Sequence, residues 1–176
     1  MRNLNADEIY DQVVAMDKQS KLYFKRPLSN IVFMGMGEPL LNYKNVLLSI
    51  DKITDPDGLA MSPRRITLST SGIPKMIYKM ADDKVKFDLA VSLHSARQEV
   101  REKIMPFANK FPLNDLSKSL AYWYQYTKKQ ITFEYVIWEG VNDKKEDIQA
   151  LIKFCRQIPS KVCLLYTSPS PRDNSG

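Results

Sequence analysis

The chain has 176 residues, 44% of them hydrophobic, which is enough for one domain with a buried core. No apolar run approaches the roughly 18 residues that span a bilayer, and the opening MRNLNADEIYDQ does not read as a signal peptide. The net charge of +6 suits a polyanionic partner, and the two cysteines, Cys155 and Cys163, have neither metal-ligand spacing nor a disulfide framework, as fits a reducing cytosol.

Asn5 is placed to cap a first helix, NADEIYDQVVAMDKQ, with Asp7 and Glu8 in its first turn and Ile9, Val13 and Met16 at helical spacing. Ile31 to Met34 form a short apolar run of the kind that fills a buried parallel strand. Gly35-Met36-Gly37-Glu38-Pro39 then ends it, because proline cannot continue a ladder and the glycines strip the backbone for a tight turn or a close ligand. A helix follows with Val46, Leu47 and Ile50 on one side, then the β-branched strand RRITLSTSG. Pro74 opens the next helix, IPKMIYKMADD, whose Asp82 and Asp83 read as a solvated end. KFDLAVSLHS is a third strand and RQEVREKI a helix stopped by Pro106. A helix from Asn114 turns Leu116, Leu120 and Trp123 or Tyr124 inward, so its aromatic run reads as core rather than as a stacking platform. ITFEYVIWEGVND is the fourth strand, and the last helix carries Ile148, Leu151, Ile152 and Cys155 as an apolar stripe.

This alternation implies parallel β/α units in a barrel or a doubly wound sheet, and four strands are few for a closed barrel. The strand ends carry the chemical signal. They read Gly37-Glu38, Ser69-Thr70-Ser71-Gly72, Ser92-Leu93-His94-Ser95 and Glu139-Gly140-Val141-Asn142-Asp143. In a parallel α/β fold such ends share one face, the face on which these folds place their sites. A carboxylate there suits an ammonium group, and hydroxyls suit a ribose or a carboxylate. Arg64, Arg65, Lys75, Lys79, Arg97 and Arg101 read either as phosphate contacts or as a solvated surface.

Four segments, VFMGMGEPLLNYKNV, RRITLSTSGI, LAVSLHSARQEVREKIMP and EYVIWEGVND, resemble radical S-adenosylmethionine methyltransferases of the RlmN and Cfr type. The resemblance runs from about Arg2 to Val162 and implies a partial (β/α) barrel, with parallel strands alternating with helices. It implies S-adenosylmethionine binding by Gly37, Glu38, Ser69, Ser92, Leu93 and His94, and no catalytic residue within this chain. It further implies methylation of carbon 2 of an adenine in large-subunit rRNA and in some tRNAs. The expected parent is a cytoplasmic monomer served by an electron donor for its [4Fe–4S] cluster, with no membrane partner. Rival readings are a Cfr-type carbon-8 methyltransferase and an inactive module that binds S-adenosylmethionine or RNA.

The same resemblance places a C-x-x-x-C-x-x-C cluster loop just upstream of RNLNADEI, and no such motif occurs in this chain. Neither Cys155 nor Cys163 falls where the family's methyl-carrying and resolving cysteines would align. The chain is therefore expected to be an internal fragment, with residues 1–162 as a partial core domain. Residues 163–176, CLLYTSPSPRDNSG, depart from the family; Cys163 to Tyr166 can extend a strand, and the Ser/Pro stretch reads as disordered or as translated adapter sequence.

Overall fold

The computed structural model describes residues 2–166. The Ser/Pro-rich stretch expected to be disordered, Ser168 to Gly176, lies outside the described residues. Helices and strands alternate from α1 (Ala6–Phe24) through β1 (Ile31–Phe33), α2 (Tyr43–Thr54), β2 (Ile66–Thr70), α3 (Pro74–Asp82) and β3 (Asp88–Ser92). They continue through α4 (Gln98–Ile104), α5 (Leu113–Thr127), β4 (Ile131–Ile137), α6 (Lys145–Cys155) and β5 (Ser160–Tyr166). No described helix is long and apolar enough to cross a membrane. The chain divides into two compact units, one running to Thr70 with Lys86–Asp88 added, the other holding Ser71–Val85 and Leu89 onward.

In the first unit, the Asn5 side chain accepts from Glu8 N while Glu8 accepts from Asn5 N, a complete capping box on α1. β1 and β2 pair in parallel, Ile31 opposite Ile66 and Phe33 opposite Leu68. Ile66 and Leu68 are fully buried, and α2 turns Tyr43, Val46, Ile50 and Ile53 inward, with Leu47 half-buried. β1 is not the buried strand that its apolar run suggests, since Val32 is 51% exposed and Met34 56% exposed. Among the described residues it pairs along one side only, and it is three residues long.

In the second unit, β3 pairs with β4 and β4 with β5, all parallel, Ser92 standing opposite Glu134 and Phe133 opposite Val162. Leu89 and Val91 on β3 and Ile131, Phe133 and Tyr135 on β4 are buried, as period-two alternation requires of a core face. Trp123 on α5 is fully buried, Tyr122 and Tyr124 are half-buried, and Tyr126 is exposed, so the aromatic run is mainly core. Asp82 is exposed yet accepts from the Tyr122 hydroxyl at 2.7 Å, and Asp83 pairs with Lys79 at 3.2 Å.

Helix α6 is rotated by part of a turn from its expected stripe, of which Leu151 is half-buried. Ile148 and Ile152 are exposed and Cys155 is half-buried, whereas Asp147 and Phe154 are buried. Phe154 packs edge-on against Phe133 with ring centroids 5.4 Å apart. Asp147 is tolerated inside because it accepts from Lys144 N at 3.2 Å and pairs with Arg97 at 3.3 Å. Phe154→Ala should therefore lower stability by about 3–5 kcal/mol, while Ile148→Ser should change it by less than about 0.5 kcal/mol. Chemical denaturation of the two variants checks this orientation, and the reverse order of costs would contradict it.

Candidate functional site

In the first unit, β1 gives way to the exposed turn Met34–Gly37. Gly37 has φ 97, and a Cβ built there meets nothing within 4 Å, so backbone conformation rather than space calls for glycine. Glu38 follows in extended conformation and caps a short 3-10 helix, Pro39–Asn42, by accepting Leu40 N at 3.0 Å. The same oxygen, Oε1, accepts from the Thr70 hydroxyl at 2.8 Å. The carboxylate is thus aimed by two donors before any ligand arrives. Ser69 is 6% exposed, on the strand face opposite Ile66 and Leu68. The turn borders a cleft of about 480 Å³ shared by β1, the first turns of α1 and the start of α2. Thr70 is the residue that touches Glu38, a role with no signature beyond its place at a strand end.

In the second unit, Ser92, Leu93 and His94 leave β3 through a left-handed turn at His94, φ 54. The surrounding residues hold most of the polar groups of that segment. Leu93 N and His94 N both donate to the Glu134 carbonyl, at 3.0 and 3.2 Å. The Ser92 hydroxyl donates to the Glu134 carboxylate at 3.0 Å. The His94 carbonyl accepts from the Asn142 side chain at 2.6 Å, and His94 Nδ1 accepts from Val136 N at 3.2 Å. That last bond requires a lone pair on Nδ1, so the neutral ring carries its proton on Nε2.

Glu134 is 5% exposed and lies in mid-strand between Phe133 and Tyr135. It shares a face with Thr132 and Val136, where period-two alternation leaves room for a polar group. Asn142, 1% exposed, donates also to Val136 O at 2.7 Å and accepts from Trp138 N at 2.7 Å, closing the turn after β4. The Tyr135 hydroxyl donates to Asn142 O at 2.7 Å, and burial, with the Asp147 and Asp143 carboxylates nearby, pushes its pKa up to about 12. Of the other residues in that strand end, Glu139 and Asp143 are exposed.

Arg101 corrects the sequence reading. It is neither a phosphate-facing nor a solvated residue: it is fully buried, and its guanidinium donates to the carbonyls of Ser71, Leu93 and Ser92 at 2.6, 3.2 and 3.5 Å. Burial alone lowers its pKa to about 10, which leaves it charged at neutral pH. Arg97 is bound to Glu99 and Asp147, and Lys79 to Asp83. Arg64, Arg65 and Lys75 are exposed.

Burial also lowers the His94 pKa; Glu134 opposes that shift and Arg101 adds to it. A histidine depressed in the fold binds its proton more readily when unfolded. Its contribution to stability is therefore present above the unfolded value of about 6.5 and is lost as pH falls below it. Because His94 is the only histidine, its ring signals report the titration without assignment. Proton NMR should place the midpoint below about 6.5; a midpoint at or above that value would contradict the burial and the Val136 bond.

No family model matches the chain. A curated relative from Christiangramia forsetii, named "Probable dual-specificity RNA methyltransferase RlmN", is 64% identical over 169 residues, 96% of this chain and 48% of the relative. A relative of the same name from Thermus thermophilus is 40% identical over 168 residues, covering 96% and 47%. The crystal structure of a radical SAM methyltransferase from Sphaerobacter thermophilus matches with a TM-score of 0.91 at 34% identity, covering 97% of this chain and 50% of that one. The fold is accordingly the partial (β/α) barrel of that neighbour, with parallel strands alternating with helices. The chain spans about half the length of the curated relatives it matches, and over nearly all of its own length it is similar to proteins named RlmN and to a radical SAM methyltransferase of known structure.

Proposed function

We propose that this chain is the S-adenosylmethionine-binding part of an enzyme that methylates carbon 2 of an adenine in large-subunit rRNA and in some tRNAs. The observation that carries the reading is the Glu38 carboxylate, held by Thr70 and Leu40 N on a left-handed glycine turn. Such a preset acceptor suits an ammonium group, because the donors fix its direction at no cost when the ligand binds. The relatives' printed names favour the dual-specificity reading over a Cfr-type one.

S-adenosylmethionine would supply the methyl group and the radical source. In this reading Gly37 lets the backbone approach the ligand and Glu38 accepts its ammonium N–H groups. Ser69 and Ser92 are read as hydroxyl contacts, and Leu93 and His94 as further binding residues. His94 serves as a binding residue rather than a general base. Its depressed pKa keeps the imidazole neutral beside a ligand that carries positive charge.

A [4Fe–4S] cluster does not fit the residues present. It needs thiolates, and the chain's two cysteines, one half-buried on α6 and one exposed on β5, form no ligand set. Among the described residues no group of three or more candidate ligands could hold a metal. The role read for this chain is therefore confined to binding and orientation.

In a full-length protein carrying this segment, Glu38→Ala should weaken S-adenosylmethionine binding by roughly 1.5–3 kcal/mol, the loss of a shielded charge-assisted hydrogen bond. Ser69→Ala should cost about 1 kcal/mol. Glu38→Gln, which retains an acceptor for Leu40 N, separates the lost charge from the lost helix cap. Calorimetry showing all three variants at wild-type affinity would contradict the assignment.

A further inference from the structure

We propose that Arg101 is a positioning residue for ligand binding at Ser92–His94, its buried guanidinium fixing the carbonyls beneath that segment. The proposal rests on the reading of Ser92, Leu93 and His94 as part of a ligand cradle.

Arg101 lies in the middle of the seven-residue helix α4, directly after the segment it holds. A full charge buried with carbonyl partners is expensive, and a leucine or methionine would fill the same space without that cost. The guanidinium supplies what an apolar side chain cannot, several N–H donors in a rigid planar fork. Nη2 reaches Ser71 O at 2.6 Å and Ser92 O at 3.5 Å, while Nε reaches Leu93 O at 3.2 Å. Three carbonyls from two stretches of chain are thereby tied to one rigid group. The peptide planes so fixed are those that set the direction of the Ser92 hydroxyl and the start of the His94 turn. Asn142 and Glu134 hold the same segment from β4 and the turn after it, so Arg101 closes the frame from the helix side.

A lysine keeps the charge but not the fork, and a methionine keeps neither. The 176-residue chain and its Arg101→Lys and Arg101→Met variants would be titrated with S-adenosylmethionine by calorimetry, and the His94 ring followed by proton NMR. The expected result is a dissociation constant raised at least about tenfold in Arg101→Met, as loss of a charge-assisted bond network implies, with a smaller rise in Arg101→Lys. The His94 midpoint should move up in Arg101→Met and stay near the wild-type value in Arg101→Lys, because only the first removes the neighbouring cation. A structural role confined to packing would change melting temperature and leave the affinity where it was. Folded variants with unchanged affinity would overturn the proposal, whatever the His94 titration does. If Arg101→Met fails to fold, Arg101→Lys decides alone: weaker binding supports the proposal and unchanged binding overturns it. If the wild-type chain gives no binding heat, the same titration in a full-length protein carrying this segment decides: weaker binding in Arg101→Lys supports the proposal, and unchanged binding or none in the wild type overturns it.

Discussion

The His94 carbonyl accepts an N–H from the buried Asn142 side chain, one of the several bonds that together fix the segment before it. A non-glycine residue at φ 54 occupies a sparsely populated region and persists only where its surroundings over-determine it. Here the surroundings are polar. Backbone and side chain of Glu134 take the donors of Ser92, Leu93 and His94, Asn142 and Arg101 take the acceptors, and Val136 N takes the imidazole lone pair. Buried polar groups with partners hold a geometry firmly because each lost partner leaves a desolvated group behind. Charge is balanced as well, since Glu134 and Arg101 act on His94 with opposite sign.

The Glu38 turn in the first unit reaches a preset geometry by a different route. Gly37 adopts φ 97 without the steric cost that another residue would meet, so no comparable frame is required. Two donors on one carboxylate oxygen are enough to aim Glu38. Strain is thus avoided by residue choice at one strand end and stabilised by hydrogen bonding at the other. Substitutions around His94 should accordingly act through several partners at once, and their effects should not add.

The β/α alternation was legible because apolar runs of strand length separate helical stretches with recognisable starts, the Asn5 cap and the first-turn Pro74 among them. The polar strand ends were legible because hydroxyls, a carboxylate and glycines interrupt apolar runs at corresponding places. Arg101 was not, since a charged residue in a short helix normally faces water and spacing carries no sign of the carbonyls beneath it. Glu134 left a faint signal, a carboxylate in mid-strand between two aromatic residues, which alternation could have placed with Ser92. The orientation of α6 was misread because its Ile148 and Ile152 pattern is convincing in isolation. The tertiary partners Phe133 and Arg97, with the helix's own N-cap Lys144 N, make Asp147 and Phe154 the buried residues. The partial burial of β1 was missed for a related reason, because strand composition does not say how many neighbours a strand has.

Native-state amide hydrogen exchange at Leu93, His94 and Val136 tests the central claim most directly, that the strand-end segment is held by a closed polar frame. Those three amides donate to the Glu134 carbonyl and to His94 Nδ1. The account predicts protection comparable to that of the β3 and β4 ladder amides in the ligand-free chain, because opening any one of them requires opening the frame. Exchange at the rate of an exposed turn such as Met34–Gly37, with the ladder itself still protected, would contradict it.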